Sequence, residues 1–133
     1  MTKEVQNQND KKYDLVERTA VFGENVIDFL KTIEKHEITR PLINQCIRSA
    51  TSIGANYMEA DGAESRKDFI HKLGICKKEC KETKHWLRMF ITADPSLKDR
   101  CTDLWQECQE LTLIFSTIIN KTKEPKVDQF DIK

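Results

Sequence analysis

Four times in succession the chain sets apolar or core-compatible residues at alternating steps of four and three, and a short polar break closes each run. Leu15, Thr19, Phe22, Val26, Phe29 and Ile33 make the first run, and Ile43, Ile47, Ala50, Gly54 and Tyr57 the second, with Leu42, Cys46 and Ile53 beside it. Phe69, Leu73, Cys76, Cys80, Thr83, Leu87 and Phe90 follow, then Leu97, Cys101, Leu104, Cys108, Leu111, Phe115 and Ile118. That period places each set on one stripe of an α-helix and on neither face of a strand. A single amphipathic helix has nothing to bury its stripe against. Four of them, each roughly 20 to 27 residues long and joined by short loops, predict an all-α, antiparallel up-down-up-down four-helix bundle. The alternating spacing favours coiled-coil-like packing at a shallow angle.

The punctuation agrees with this reading. The first helix begins near Asp14 and ends in Glu34-Lys35-His36-Glu37. Thr39 is the expected N-cap of the second, with Pro41 tolerated in its first turn, and Gly62 is expected to end it in the left-handed conformation. Ser65, followed three residues on by Asp68, resembles a capping box for the third. Asp94-Pro95 stops that helix and opens the fourth. Residues 1–12 and 122–133 carry no period and are expected to be disordered or flexible tails around a bundle spanning 13–121.

At 133 residues there is room for one such core and hardly for two. With 38% hydrophobic and 33% charged residues, 4 Gly and 3 Pro, the composition is that of a soluble helical protein. No apolar run reaches the roughly 18 residues of a membrane span, and the polar opening MTKEVQNQNDKK is unlike a signal peptide. Five cysteines without a C-x-x-C pair fit a reduced, cytoplasmic protein.

The second helix has almost no charged side: between Pro41 and Met58 the single charge is Arg48. A bundle helix normally keeps a solvated outer face, so a subunit interface is expected, with Leu42, Cys46 and Ile53 as its residues; an exposed Ser/Thr/Asn-rich face is the alternative.

Formal net charge is zero, yet it is unevenly spread. Between Ser65 and Ile91 eight Lys and Arg stand against three acids, whereas residues 14–37 and 94–121 are both net acidic. On the third helix Lys67, Lys77, Lys78, Lys81, Lys84 and Arg88, with His71 and His85, fall within about a third of the circumference, and Asp68, Glu79 and Glu82 lie on the other side. Such a stripe suits a phosphate backbone; a solvated face, or one paired with a neighbour's acidic helix, is the alternative.

Catalytic constellations find little support. Asp68-x-x-His71 and Glu82-x-x-His85 have the carboxylate-x-x-His spacing of di-iron bundles, but they occupy outer rows of one helix rather than the core of two. Cys76 and Cys80 lie one turn apart on the core stripe, with Cys80 expected near the level of Cys108, and free cysteine there packs as a small hydrophobe more readily than as a zinc ligand. No nucleophilic triad or glycine-rich phosphate loop is present, so no catalytic residue, metal, cofactor or small-molecule substrate is expected. Asn56, Tyr57 and Glu59 could form a buried polar network fixing helix register, with a lysine from the third helix.

Ser49-Ala-Thr-Ser-Ile-Gly-Ala-Asn-Tyr57-Met-Glu59-Ala60, Lys67-Asp-Phe69 and the run from Lys78 to Leu87 resemble a bacterial four-helix-bundle family whose founding members are encoded by intervening sequences in 23S ribosomal RNA genes. Members are sometimes labelled ribosomal-protein-like, and the accessory protein of diversity-generating retroelements is a relative. The resemblance covers about Tyr13 to Lys121. It implies an antiparallel bundle assembling as a ring-like homopentamer, with no enzyme activity established. In the retroelement relative a positive surface is associated with nucleic acid and reverse-transcriptase binding; that protein is strongly basic, and this chain is not. The expected function is a cytoplasmic, non-enzymatic homo-oligomer that binds RNA or DNA weakly and without sequence preference, the alternative being an assembly or adaptor module for a protein partner.

Overall fold

The structure, a computed structural model, describes residues 14–123. Four α-helices carry them: α1 (Leu15–Lys31), α2 (Thr39–Asp61), α3 (Arg66–Ala93) and α4 (Lys98–Lys123), with a 3-10 turn at Pro95–Leu97 ahead of α4. Asp14 caps α1 by accepting from the Glu17 N–H at 3.2 Å, and Ser65 caps α3 by accepting from the Asp68 N–H at 3.0 Å. Among the described residues no helix is long and apolar enough to cross a membrane. The expected tails at 1–12 and beyond Lys123 lie outside the described residues.

Several boundaries differ from the sequence reading, each for a local reason. The α1 helix stops at Lys31 because Thr32 turns both its N–H and its hydroxyl onto the Phe29 carbonyl; Ile33 still reaches the core from the turn. Thr39 is the first residue of α2 rather than its cap. Its buried hydroxyl accepts from the His36 N–H at 3.0 Å and donates to the Glu34 carbonyl at 2.7 Å, so it ties the α1–α2 loop. Gly62 sits at φ −96°, not in the left-handed region, since the chain leaves α2 through one more right-handed turn. Asp94 and Pro95 open the 3-10 turn, Asp94 accepting from the Ser96 N–H, and α4 starts at Lys98. That helix runs through Thr122 to Lys123, and Ile119 takes the last core position expected of Ile118.

Contacts fix the direction of each helix. Thr19 lies against Gly54, Ser49 meets Thr83, Glu59 meets Lys72, Lys84 meets Gln109 and Arg66 reaches Thr122. As the number rises along one helix its partner's number falls along the next (Ser49 and Glu59 against Thr83 and Lys72, Arg66 and Lys84 against Thr122 and Gln109, Thr19 and Gly23 against Gly54 and Ala50), which makes the order up-down-up-down. Two aromatic pairs brace opposite ends across the diagonals: Phe29 of α1 meets Phe90 of α3 edge-on at 5.8 Å, and Tyr57 of α2 stacks on Phe115 of α4 at 6.0 Å. The α1–α4 seam is the thinnest of those between neighbouring helices, and there Arg18 bonds both oxygens of Glu107 (2.8 and 2.9 Å) and reaches Glu110 at 2.9 Å. The Glu107 hydrogen bond holds the guanidinium firmly protonated.

The core face of α2 is rotated from the one expected. Cys46, Ser49, Ala50, Ile53, Tyr57 and Ala60 are buried, whereas Ile47 is 37% exposed. Cys46 and Ile53 are therefore not interface residues; both are fully enclosed within their own chain, and Leu42 is half-buried against the same core. With a single charge to mark its outer side, the periodicity of α2 fits two adjacent stripes, and packing selects the one carrying the smaller residues.

Gly54 makes the α1–α2 crossing close. A Cβ there would come within 3.3 Å of Thr19 Oγ1, itself anchored to the Leu15 carbonyl at 2.6 Å, and within 3.5 Å of the Thr19 backbone. Gly54→Val should cost about 2 kcal/mol in denaturant melts by overpacking this crossing. Gly62→Ala, with only ordinary contacts and no positive φ to lose, should stay within about 0.5 kcal/mol of the parent.

Candidate functional site

The outer face of α3 is a one-sided, cationic surface. Lys67, Lys78, Lys81 and Arg88 are exposed, together with His71 and His85, while Lys77 and Lys84 lie half-buried on the flank toward α4. The acids of the helix are held elsewhere. Glu79 and Glu82 turn to the other side and bind Arg48 of α2, Glu79 at 3.4 Å and Glu82 through a short hydrogen bond that keeps the guanidinium charged. The one charge in the middle of α2 thus draws two carboxylates away from the lysine face. Lys84 is engaged: it donates to Gln109 at 2.7 Å and stands 5.1 Å over the Trp105 ring.

The expected polar network at the end of α2 is dispersed. Asn56 donates to the Ser52 carbonyl at 2.9 Å, Tyr57 packs on Phe115, and exposed Glu59 accepts from Lys72 at 2.7 Å. The lysine from α3 is present, but the three residues do not bond one another in a buried cluster. The buried polar contact between α2 and α3 is instead the Ser49–Thr83 hydroxyl pair at 2.8 Å, in which Thr83 donates to the Glu79 carbonyl at 2.8 Å and is thereby left to accept from Ser49. The segment from Ser49 to Ala60 therefore does structural work: Ser49 meets α3, Gly54 admits α1, and Tyr57 reaches α4.

All five cysteines are buried free thiols. Burial pushes Cys46 and Cys76 up to about 12 and Cys101 to about 11, and contact with Cys80 together with burial drives Cys108 further in the same direction. Protonated at neutral pH, these four are packing residues rather than nucleophiles. Among the described residues no group of three or more His, Cys, Asp or Glu is placed to hold a metal ion. Asp68, His71 and His85 point to solvent, and Glu82 belongs to Arg48.

Two surfaces escaped the sequence reading. Between α3 and α4 lies an open groove of about 330 Å³, lined by Leu87, Arg88, Ile91, Cys101, Thr102 and Trp105. Its signal in the sequence is Trp105, one helical turn after Cys101 and beside the α4 core stripe. On α2 the exposed positions Asn44, Ile47, Thr51, Ala55 and Met58 form an uncharged outer stripe at steps of three and four, with Met58 63% exposed. Exposed Val16 and Ala20 of α1 adjoin it across the Thr19–Gly54 crossing.

Four antiparallel helices with one cationic outer face define a small, all-α helical-bundle protein. The chain belongs to the 23S rRNA-intervening sequence protein family, whose model matches residues 11–117. Among solved structures it is similar to a crystal structure from Bacteroides thetaiotaomicron, described as a protein with unknown function from the S23 ribosomal protein family. The two are 31% identical with a TM-score of 0.71, over 79% of this chain and 97% of that one. No curated protein matches the chain.

Proposed function

We propose that the chain is a cytoplasmic, non-enzymatic bundle that assembles with copies of itself and holds RNA or DNA weakly, without sequence preference, through the phosphate backbone. The observation that carries this reading is the outer face of α3. Lys67, Lys78, Lys81 and Arg88 stand exposed without an acidic partner among the described residues, while Glu79 and Glu82 are taken up by Arg48 on the far side. Clustered cations with no neutralising carboxylate favour release of counterions from a polyanion, which needs no base-reading motif. Assembly multiplies the face, so that weak contacts from several subunits add on one strand. The count of five subunits follows from the family resemblance alone.

The second reading is an assembly or adaptor module. It draws on the exposed acids of the α1 side, Glu24, Asp28, Glu34 and Glu37, which a neighbouring copy could set against the lysine face. Filter binding of structured RNA at 50 and 200 mM salt separates the two. Four to six phosphate contacts predict an affinity loss of about 10²–10³ over that range, and Lys78→Glu with Lys81→Glu should remove most binding while leaving the oligomer intact. Absence of binding at low salt, or dissociation of the oligomer by the double variant, would overturn the phosphate reading.

A further inference from the structure

The groove between α3 and α4 joins an aromatic wall to the cationic face. Trp105 is 38% exposed and forms one side; Leu87, Ile91 and Cys101 supply apolar lining, and Arg88 belongs both to the lining and to the exposed basic row. Lys84 and Gln109 lie on the Trp105 side away from Ile91 and Thr102, so the ammonium occupies the indole from one direction and the groove opens in the other. Of the acids of α4 nearest in sequence, Asp99 and Asp103 are exposed on other rows and Glu107 is held by Arg18 of α1, and none of them lines the groove. A volume of about 330 Å³ falls at the lower end of small-ligand sites, enough for one flat heteroaromatic ring.

We propose that this groove seats one unpaired base of a single-stranded nucleic acid against Trp105, with Arg88, Lys84 and Lys81 beside the adjoining phosphates. The proposal rests on the phosphate-binding reading and adds a preference to it. A basic row alone serves duplex and single strand alike, whereas a stacking surface at its edge serves only a strand whose bases are free. An acidic peptide would satisfy the cations but would leave the aromatic wall without a ring to stack.

The test uses the full chain, an oligo(U) strand and an RNA duplex of equal length, read by tryptophan emission and by filter binding at low salt. Oligo(U) should bind and quench the emission. Trp105→Leu keeps apolar bulk in a half-exposed position and should lower oligo(U) affinity by between about fivefold and a hundredfold, leave duplex affinity unchanged and leave the salt slope as it was. Trp105→Phe should recover part of the loss. If Trp105→Leu binds oligo(U) like the parent, or loses duplex and single strand equally, the groove proposal is wrong and the phosphate reading stands. If neither RNA binds at low salt, both fall. Equal quenching by polyglutamate would assign the groove to acidic peptide and overturn the proposal.

Discussion

Replacing Ile53 with aspartate should unfold the chain. Ile53 is fully enclosed in the middle of α2, one helical turn from Ser49 on the side that packs against α3, and its carbonyl accepts from the Cys76 thiol at 3.6 Å. No basic group is buried in the core among the described residues, where the polar side chains are the hydroxyls of Thr19, Thr39, Ser49 and Thr83. The aspartate would have to be buried protonated or draw water into the bundle, at a cost of roughly 4–5 kcal/mol or more. Net stabilities of small domains are about 5–15 kcal/mol, so little or nothing would remain. Loss of far-UV helicity is one measurement. The five buried cysteines give a second, since a disulfide dye at neutral pH should react slowly with the parent and at once with the variant. A variant that keeps its helicity and protects its thiols would place Ile53 outside the core. Lys81→Glu, on the exposed face of α3, is the matched control and should shift stability by no more than about 0.5 kcal/mol.

The contrast between those two positions marks where the sequence was readable. On α1 and α3 the apolar stripe is flanked by charge, so the spacing from Leu15 to Ile33 and from Phe69 to Phe90 identified the buried rows, apart from Phe69, which is only half-buried, and Gly23 and Leu30, which the core adds. The same clarity located the lysine face, because burying any of its exposed members would cost more than burying a Leu or a Cys. The α2 helix lacked that contrast. Ile43 and Ile47 look more hydrophobic than Cys46 and Ser49, yet close packing of α1 and α3 on α2 admits the smaller pair, leaving Ile43 half-buried at the edge of the core and Ile47 exposed. Trp105 was hidden for a different reason: its groove exists only once α3 and α4 are set in antiparallel register, and no spacing within one helix reports that. The fate of Glu79 and Glu82 is equally non-local, since their partner Arg48 lies more than 30 residues away in the chain.

Ile47 and Met58 now take the place that Cys46 and Ile53 held as the expected contact between copies. Both lie on the uncharged outer stripe of α2, both are exposed, and Val16 and Ala20 extend the surface onto α1. Fully burying a methionine or an isoleucine contributes about 1.5–3 kcal/mol, and association can gain the share of it that is still exposed, 63% for Met58 and 37% for Ile47. A charge at either position would have to be desolvated against a second apolar surface, which raises the cost of association further. The Ile47→Asp, Met58→Asp double variant should therefore run as a 15.5 kDa monomer in light scattering at micromolar concentration, under conditions where the parent runs as a multiple of that mass. Its helicity should persist at 25 °C, because the core that encloses Ile53 and Cys46 is complete within one chain. Leu113→Asp is the decisive comparison. Leu113 is 56% exposed on α4, away from the α2 stripe, and its replacement should leave the assembly unchanged if the contact runs through α2. Dissociation by Leu113→Asp but not by the double variant would move the interface to α4, and a monomeric parent would remove self-assembly from the reading altogether.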